Sequence, residues 1–191
     1  MVLAHDRALD ISGPLGQLLP GGLVRGSVTV VEGATGAGAT SVALTLCAAV
    51  TAVGEWAAAV DLAGTLGGEA AAEAGVTLER FAVVRRVPPD RWATVTAVLL
   101  DGMSLVVVEV PPRARPAEAR RLVARARERG VVLVPLVGFP SSWPAEARQR
   151  VRVEGGSWPG LGVGHGLLAP RAPKIRVVSH GTRELVGVLA G

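Results

Sequence analysis

Five short runs of valine, leucine and alanine recur along the chain: SVTVVEG (27–33), AAAVDL (57–62), FAVVRRV (81–87), LVVVEV (105–110) and VVLVPLV (131–137). Runs this continuous, without polar alternation, suit strands covered on both faces, as in a parallel sheet between helices. The stretches between them, 40–53, 66–74, 90–101 and 116–129, read as helices, the last opened by Pro116 and closed by Gly130. Strand and helix alternate, so the expectation is an α/β fold with a mostly parallel sheet flanked by helices. Beyond Gly138 the pattern breaks into shorter pieces punctuated by Gly and Pro. There KIRVVSHGTRELVGVL reads as a hairpin turning near His180 and Gly181, an antiparallel C-terminal edge.

A chain of 191 residues matches one domain and can bury a sizeable core. With 49% hydrophobic and 19% charged residues it is neither a disordered chain nor a coiled coil. The longest apolar stretch, Val42 to Val53, is too short to cross a bilayer, and the charged start MVLAHDRALD lacks the apolar core of a secretory signal. A cytoplasmic protein without membrane contact is expected. The lone Cys47 falls inside an apolar helix, which leaves no intramolecular disulfide or Cys-based metal site and points to core packing. His165 in GVGHGLL has no Asp, Cys or second His at ligand spacing, so no metal is expected.

The turn after the first strand carries the most chemistry. GATGAGAT fits the phosphate-binding pattern G-x-x-x-x-G-K-[ST] at Gly33, Gly38 and Thr40, but Ala39 stands where the lysine belongs. In a working loop of this type, backbone N–H groups and the helix N-terminus cradle the phosphates while the lysine offsets β/γ charge. Losing one charge-assisted hydrogen bond of roughly 1.5–3 kcal/mol weakens binding by about ten- to a hundredfold. A remnant anion site from Gly36, Gly38 and the Thr40 and Ser41 amides stays open.

Taken in order, the features from roughly Leu19 to Phe139 resemble the RecA core. LPGGLVRGSVTVVEG is similar to the approach to its first strand and GATGAGAT to its Walker A loop. AAAVDLAGTLG resembles the second strand and the turn that carries the catalytic glutamate. LVVVEV is similar to the Walker B strand, with Glu109 at the aspartate position, and VVLVPLVGF to the strand that follows. On this alignment Ala63 occupies the catalytic glutamate's place. Only Pro111 to Arg115 stand where RecA has a long DNA-binding insertion, and the compact FPSSWPAEARQR replaces the second DNA loop. A RecA-like domain so reduced resembles the ImuA/ImuA-prime branch of the SulA-like mutasome family, of actinobacterial type.

That resemblance implies one RecA-like domain over 1–191, with an N-terminal segment 1–18 and a divergent C-terminal part 139–191. It implies a non-catalytic pseudo-ATPase accessory to damage-induced translesion synthesis and the SOS response. Such a protein works with an ImuB-like Y-family polymerase homologue and, indirectly, a C-family error-prone DNA polymerase. No cofactor is expected, with weak ATP/Mg binding left open. The alternatives are an ATPase with a variant P-loop and a SulA-like cell-division inhibitor that binds FtsZ.

Two surfaces stand out as contact candidates. Between positions 113 and 152 ten arginines meet only three acids, Glu118, Glu128 and Glu146. Arg113, Arg115, Arg120, Arg121, Arg148 and Arg150 are the candidates for weak, salt-sensitive DNA contact or for an acidic partner. Few aromatics interleave with them, which argues against base stacking. Trp143 in SSWPAE and Trp158 in GSWPGLG lie in Pro-flanked turns outside the apolar runs; each reads as a partner anchor or as a cap on its own core. Asp61, at a strand's carboxyl end, is expected to cap the turn that follows.

Overall fold

In the computed structural model the valine-rich runs pair as expected; the structure describes residues 8–138, 143–155, 173–179 and 184–188. Strands β1 (Ala8–Leu9) and β2 (Leu23–Val24) form a small antiparallel pair around helix α1 (Gly13–Leu18). Then follow β3 (Thr29–Gly33), α2 (Ala39–Ala52), β4 (Ala57–Asp61), α3 (Gly68–Glu73) and β5 (Phe81–Arg85). After these come α4 (Trp92–Leu99), β6 (Leu105–Glu109), α5 (Pro116–Arg129) and β7 (Val132–Gly138). The chain closes with β8 (Gln149–Val153), β9 (Lys174–Ser179) and β10 (Leu185–Val188).

Eight of these strands make one sheet in the order β10-β9-β8-β3-β7-β6-β4-β5. From β8 to β5 every pairing is parallel, whereas β9 and β10 join antiparallel, so the fold is mixed α/β with an antiparallel C-terminal edge. Because successive side chains of a strand point to opposite faces, each apolar run feeds two cores. Val31, Ala59, Val107 and Val134 pack against Val42, Leu46, Cys47 and Val50 of α2 on one face. Val30, Val60, Val106, Val108 and Leu133 meet Trp92 of α4 and Ala119, Leu122 and Ala126 of α5 on the other. Helix α5 matches its expected bounds because its ends are marked chemically. Pro116 opens it, the Glu118 carboxylate accepts the Arg115 N–H at 3.2 Å, and Gly130 at φ 68° ends it in the left-handed conformation.

Three expectations need correction. The segment after Gly138 contains a further parallel strand, β8, paired with β3. Its alternation QRVRV sends Val151 and Val153 into the core beside Val31 and leaves Arg150 and Arg152 on the opposite face. Arg150, expected as a free contact residue, is ion-paired: buried Glu32 of β3 takes Arg150 at 2.6 Å and Arg152 at 3.4 Å. A carboxylate taken out of water demands such partners, and adjacent strands supply them. Trp143 is a core residue, 3% exposed, set edge-on to Trp92 with ring centroids 6.5 Å apart. Its indole N–H donates to the Glu146 carbonyl at 3.3 Å, so both the apolar body and the polar tip are satisfied inside the molecule. Among the described residues, no helix is long and apolar enough to cross a membrane.

Candidate functional site at the carboxyl edge of the sheet

Open α/β sheets form their sites outside the carboxyl ends of the strands, and a cleft of about 1170 Å³ lies there. One wall is the glycine-rich turn from Gly33 to Ser41, where β3 passes into α2. Gly36 at φ 75° and Gly38 at φ 105° adopt backbone conformations that side chains disfavour, and this bends the chain tightly enough for α2 to start at Ala39. Gly38 caps that helix without a side-chain hydrogen bond, and Pro173, just ahead of β9, lies over it. The facing wall is formed by Leu62, Ala63 and Thr65 after β4, Glu109 to Pro112 after β6, and Leu136 to Gly138 of β7.

The Walker A-like residues and Glu109 are therefore brought together. The cleft they surround carries little charge. Glu109 is the one charged residue lining the cleft among the described residues; the rest are apolar, glycine, proline or hydroxyl side chains. Ala39 adds no cation, and no Lys or Arg lines the cleft among the described residues.

Both carboxylates at this edge face backbone. Glu109 Oε2 accepts the N–H of Leu62 at 2.6 Å and of Ala63 at 3.0 Å. Asp61, 2% exposed, accepts Gly64 at 2.7 Å and Thr65 at 3.1 Å on Oδ1, and Leu66 at 2.9 Å on Oδ2. Five successive amides, 62 to 66, thus converge on two acids. Arg85 binds the other end of the loop, with its guanidinium on the Leu66 carbonyl and 3.8 Å from Asp61. Arg86, at φ 54°, lays its side chain against Gly64. The turn after β4 is a closed hydrogen-bonded loop that contains Ala63.

The remaining candidates are scattered. Cys47 is fully buried in α2, and burial pushes its thiol up to about 12, which makes it inert packing. Arg113, Arg120, Arg121 and Arg148 are exposed and do not line the cleft, although Arg113 directly follows its wall residue Pro112; Arg115 stands at the start of α5. Trp158 and His165 lie outside the described residues. Sequence reasoning missed Glu32 and the double capping by Glu109. The signal for Glu32 was an acid inside a strand run, together with an Arg/Val alternation elsewhere.

A relative, "Uncharacterized protein Rv3395c" of Mycobacterium tuberculosis (strain ATCC 25618 / H37Rv), is 41% identical over 138 residues. The match covers 70% of this chain and 64% of the relative's length. Residues 17–145 match the family model described as the MT3502 N-terminal domain, a span from α1 through the glycine-rich turn, the capped loop and α5 to the segment holding Trp143. The chain therefore belongs to the MT3502 N-terminal domain family.

Proposed function

We propose that this chain is a non-catalytic accessory protein with a RecA-like core, a pseudo-ATPase that acts in damage-induced translesion synthesis by binding an ImuB-like polymerase homologue. The observation that carries the non-catalytic half is the convergence of the 62–66 amides on Asp61 and Glu109. Nucleotide hydrolysis needs a carboxylate turned toward water or metal and a cation near the β/γ-phosphates. Here Asp61 and Oε2 of Glu109 accept backbone amides, and no cation lines the cleft among the described residues. The RecA-like reading is supported by strand order: the glycine-rich turn follows central β3, and β7 separates β3 from β6, which ends in Glu109. A protein without catalytic groups acts through differential binding, and this is what supports an adaptor role. The mutasome assignment rests on the sequence resemblance.

Calorimetric titration with Mg-ATP and a turnover assay on the pure protein test the reading. Undetectable turnover and weak or absent heat are expected. Ala39→Lys should add at most roughly tenfold to a hundredfold in affinity and no hydrolysis, because the lysine restores one charge and no base. Micromolar Mg-ATP affinity or measurable turnover in the native chain would overturn it. Co-expression with an ImuB-like protein should give a stable complex; recovery with FtsZ in its place would favour the cell-division alternative.

A further inference from the structure

The face of α5 away from α4 is shaped differently from the cleft. Arg125 and Arg129 lie on the α4 side and are tied to Asp101, at 2.5 Å and 3.0 Å. Arg120, Val123, Ala124 and Arg127 lie on the other side, where they and the 144–146 segment bound a groove of about 410 Å³. The floor is apolar: Val123, Ala124, Pro144 and Ala145. Arg120 has no acidic partner among the described residues, and Arg127 has only a loose one, Glu146 at 3.7 Å, with the two side chains 72% and 87% exposed. Behind the groove, buried Trp143 anchors the segment and donates to the Glu146 carbonyl.

We infer that this groove is a docking site for an acidic amphipathic segment of a protein partner, whose apolar side chains fill the floor and whose carboxylates pair with Arg120 and Arg127. The inference rests on the adaptor reading above and names the surface that would serve it. Charge complementarity selects the occupant: of the groove's two arginines, Arg120 has no acidic partner among the described residues and Arg127 has only the loose contact with Glu146. The floor selects protein over nucleic acid, since phosphates gain nothing from Val123, Ala124 and Ala145, and among the described residues no aromatic lines the groove for base stacking. Glu146 marks where a partner's carboxylate would sit. Its weak contact with Arg127 is the kind of exposed pair that contributes little and is readily exchanged.

The test uses the full chain, isotopically labelled, and a designed helical peptide with leucines at i, i+3 or i+4 and i+7 flanked by glutamates. Two control peptides carry Gln for every Glu, or Ser for every Leu, and a short DNA duplex serves as competitor. Binding is expected to shift the amide signals of Val123, Ala124 and Ala145, with both control peptides at least roughly tenfold weaker. Arg120→Glu and Arg127→Glu should each weaken binding by about tenfold at unchanged thermal midpoint, whereas Glu146→Gln should hold or tighten it. No binding, equal binding of the Glu and Gln peptides, or displacement of the peptide by the duplex from the same residues would overturn the inference. Neither arginine lines the cleft, so such a failure leaves the nucleotide result standing.

Discussion

The carboxyl-edge loop and the outer face of α5 hold opposite kinds of charge in opposite states. At the loop, Asp61 and one oxygen of Glu109 accept backbone amides, beside a cleft that no cation lines among the described residues. On the helix, Arg120 and Arg127 face an apolar groove with no firm partner. Charge committed to backbone stiffens a loop and removes it from chemistry, while charge left unpaired beside apolar surface is available to another molecule. The comparison teaches that the same sheet can hold its acids inside a loop on one edge and leave arginines available on a helix elsewhere. The family match, which spans both regions, ends at residue 145 on the groove's wall.

Trp143→Ala should give the largest effect, because it removes a buried indole beneath the groove and leaves a void against Trp92. Truncations of this type cost about 3–5 kcal/mol, so the urea midpoint should fall sharply at unchanged slope. Peptide binding at the groove should be lost with it, as the 144–146 wall loses its anchor. An unchanged midpoint would place Trp143 outside the core and erase the structural link between packing and groove.

A second perturbation separates the two acids of the loop. Asp61→Ala strips the acceptor from three amides at a nearly inaccessible position, an expected loss of about 2–3 kcal/mol in chemical denaturation. Glu109→Gln keeps an oxygen for Leu62 and Ala63 and should cost only about 1 kcal/mol. Neither change should alter peptide binding at α5. If Glu109→Gln left stability untouched and instead abolished Mg-ATP heat present in the native chain, the carboxylate would be serving a metal, and the contrast drawn between loop and helix would fail.

The sequence made the parallel strands legible because burial on both faces demands long aliphatic runs, and it made α5 legible because Pro116, Glu118 and Gly130 mark its ends. It obscured β8, whose arginines drew attention to charge and away from the alternation that puts Val151 and Val153 in the core. Its Pro-flanked turn left Trp143 open between a partner anchor and a cap on its own core. Its burial depends on Trp92, far away in sequence, which no local pattern encodes. The absence of a lysine at Ala39 was readable in the sequence. The positive use of Glu109 as a cap on the β4 loop required strands β4 and β6 to be neighbours, a fact of topology. The short pieces before β3 carry too few residues for any periodicity, yet Leu15, Leu18 and Leu23 are buried, with Leu18 close against Gly187 of β10.

The smallest expected effect compares the two sides of α5 itself. The guanidinium of Arg125, with Arg129 beside it, holds the Asp101 carboxyl below its ordinary value of 3.8. A carboxyl whose folded value is depressed adds stability above its unfolded value and loses that contribution as pH falls through the folded one. Asp101→Asn should therefore lower the thermal midpoint slightly at neutral pH, and the native and variant curves should converge only as pH drops below about 3.8. The pair is exposed, so 1 M salt should erase most of the difference. Peptide affinity at the groove should not change, because the arginines freed by the substitution lie toward α4 and not toward Val123 and Ala124. A marked gain in affinity on freeing Arg125 and Arg129 would mean that the acidic segment straddles the helix, and the docking surface would then have to include both of its sides.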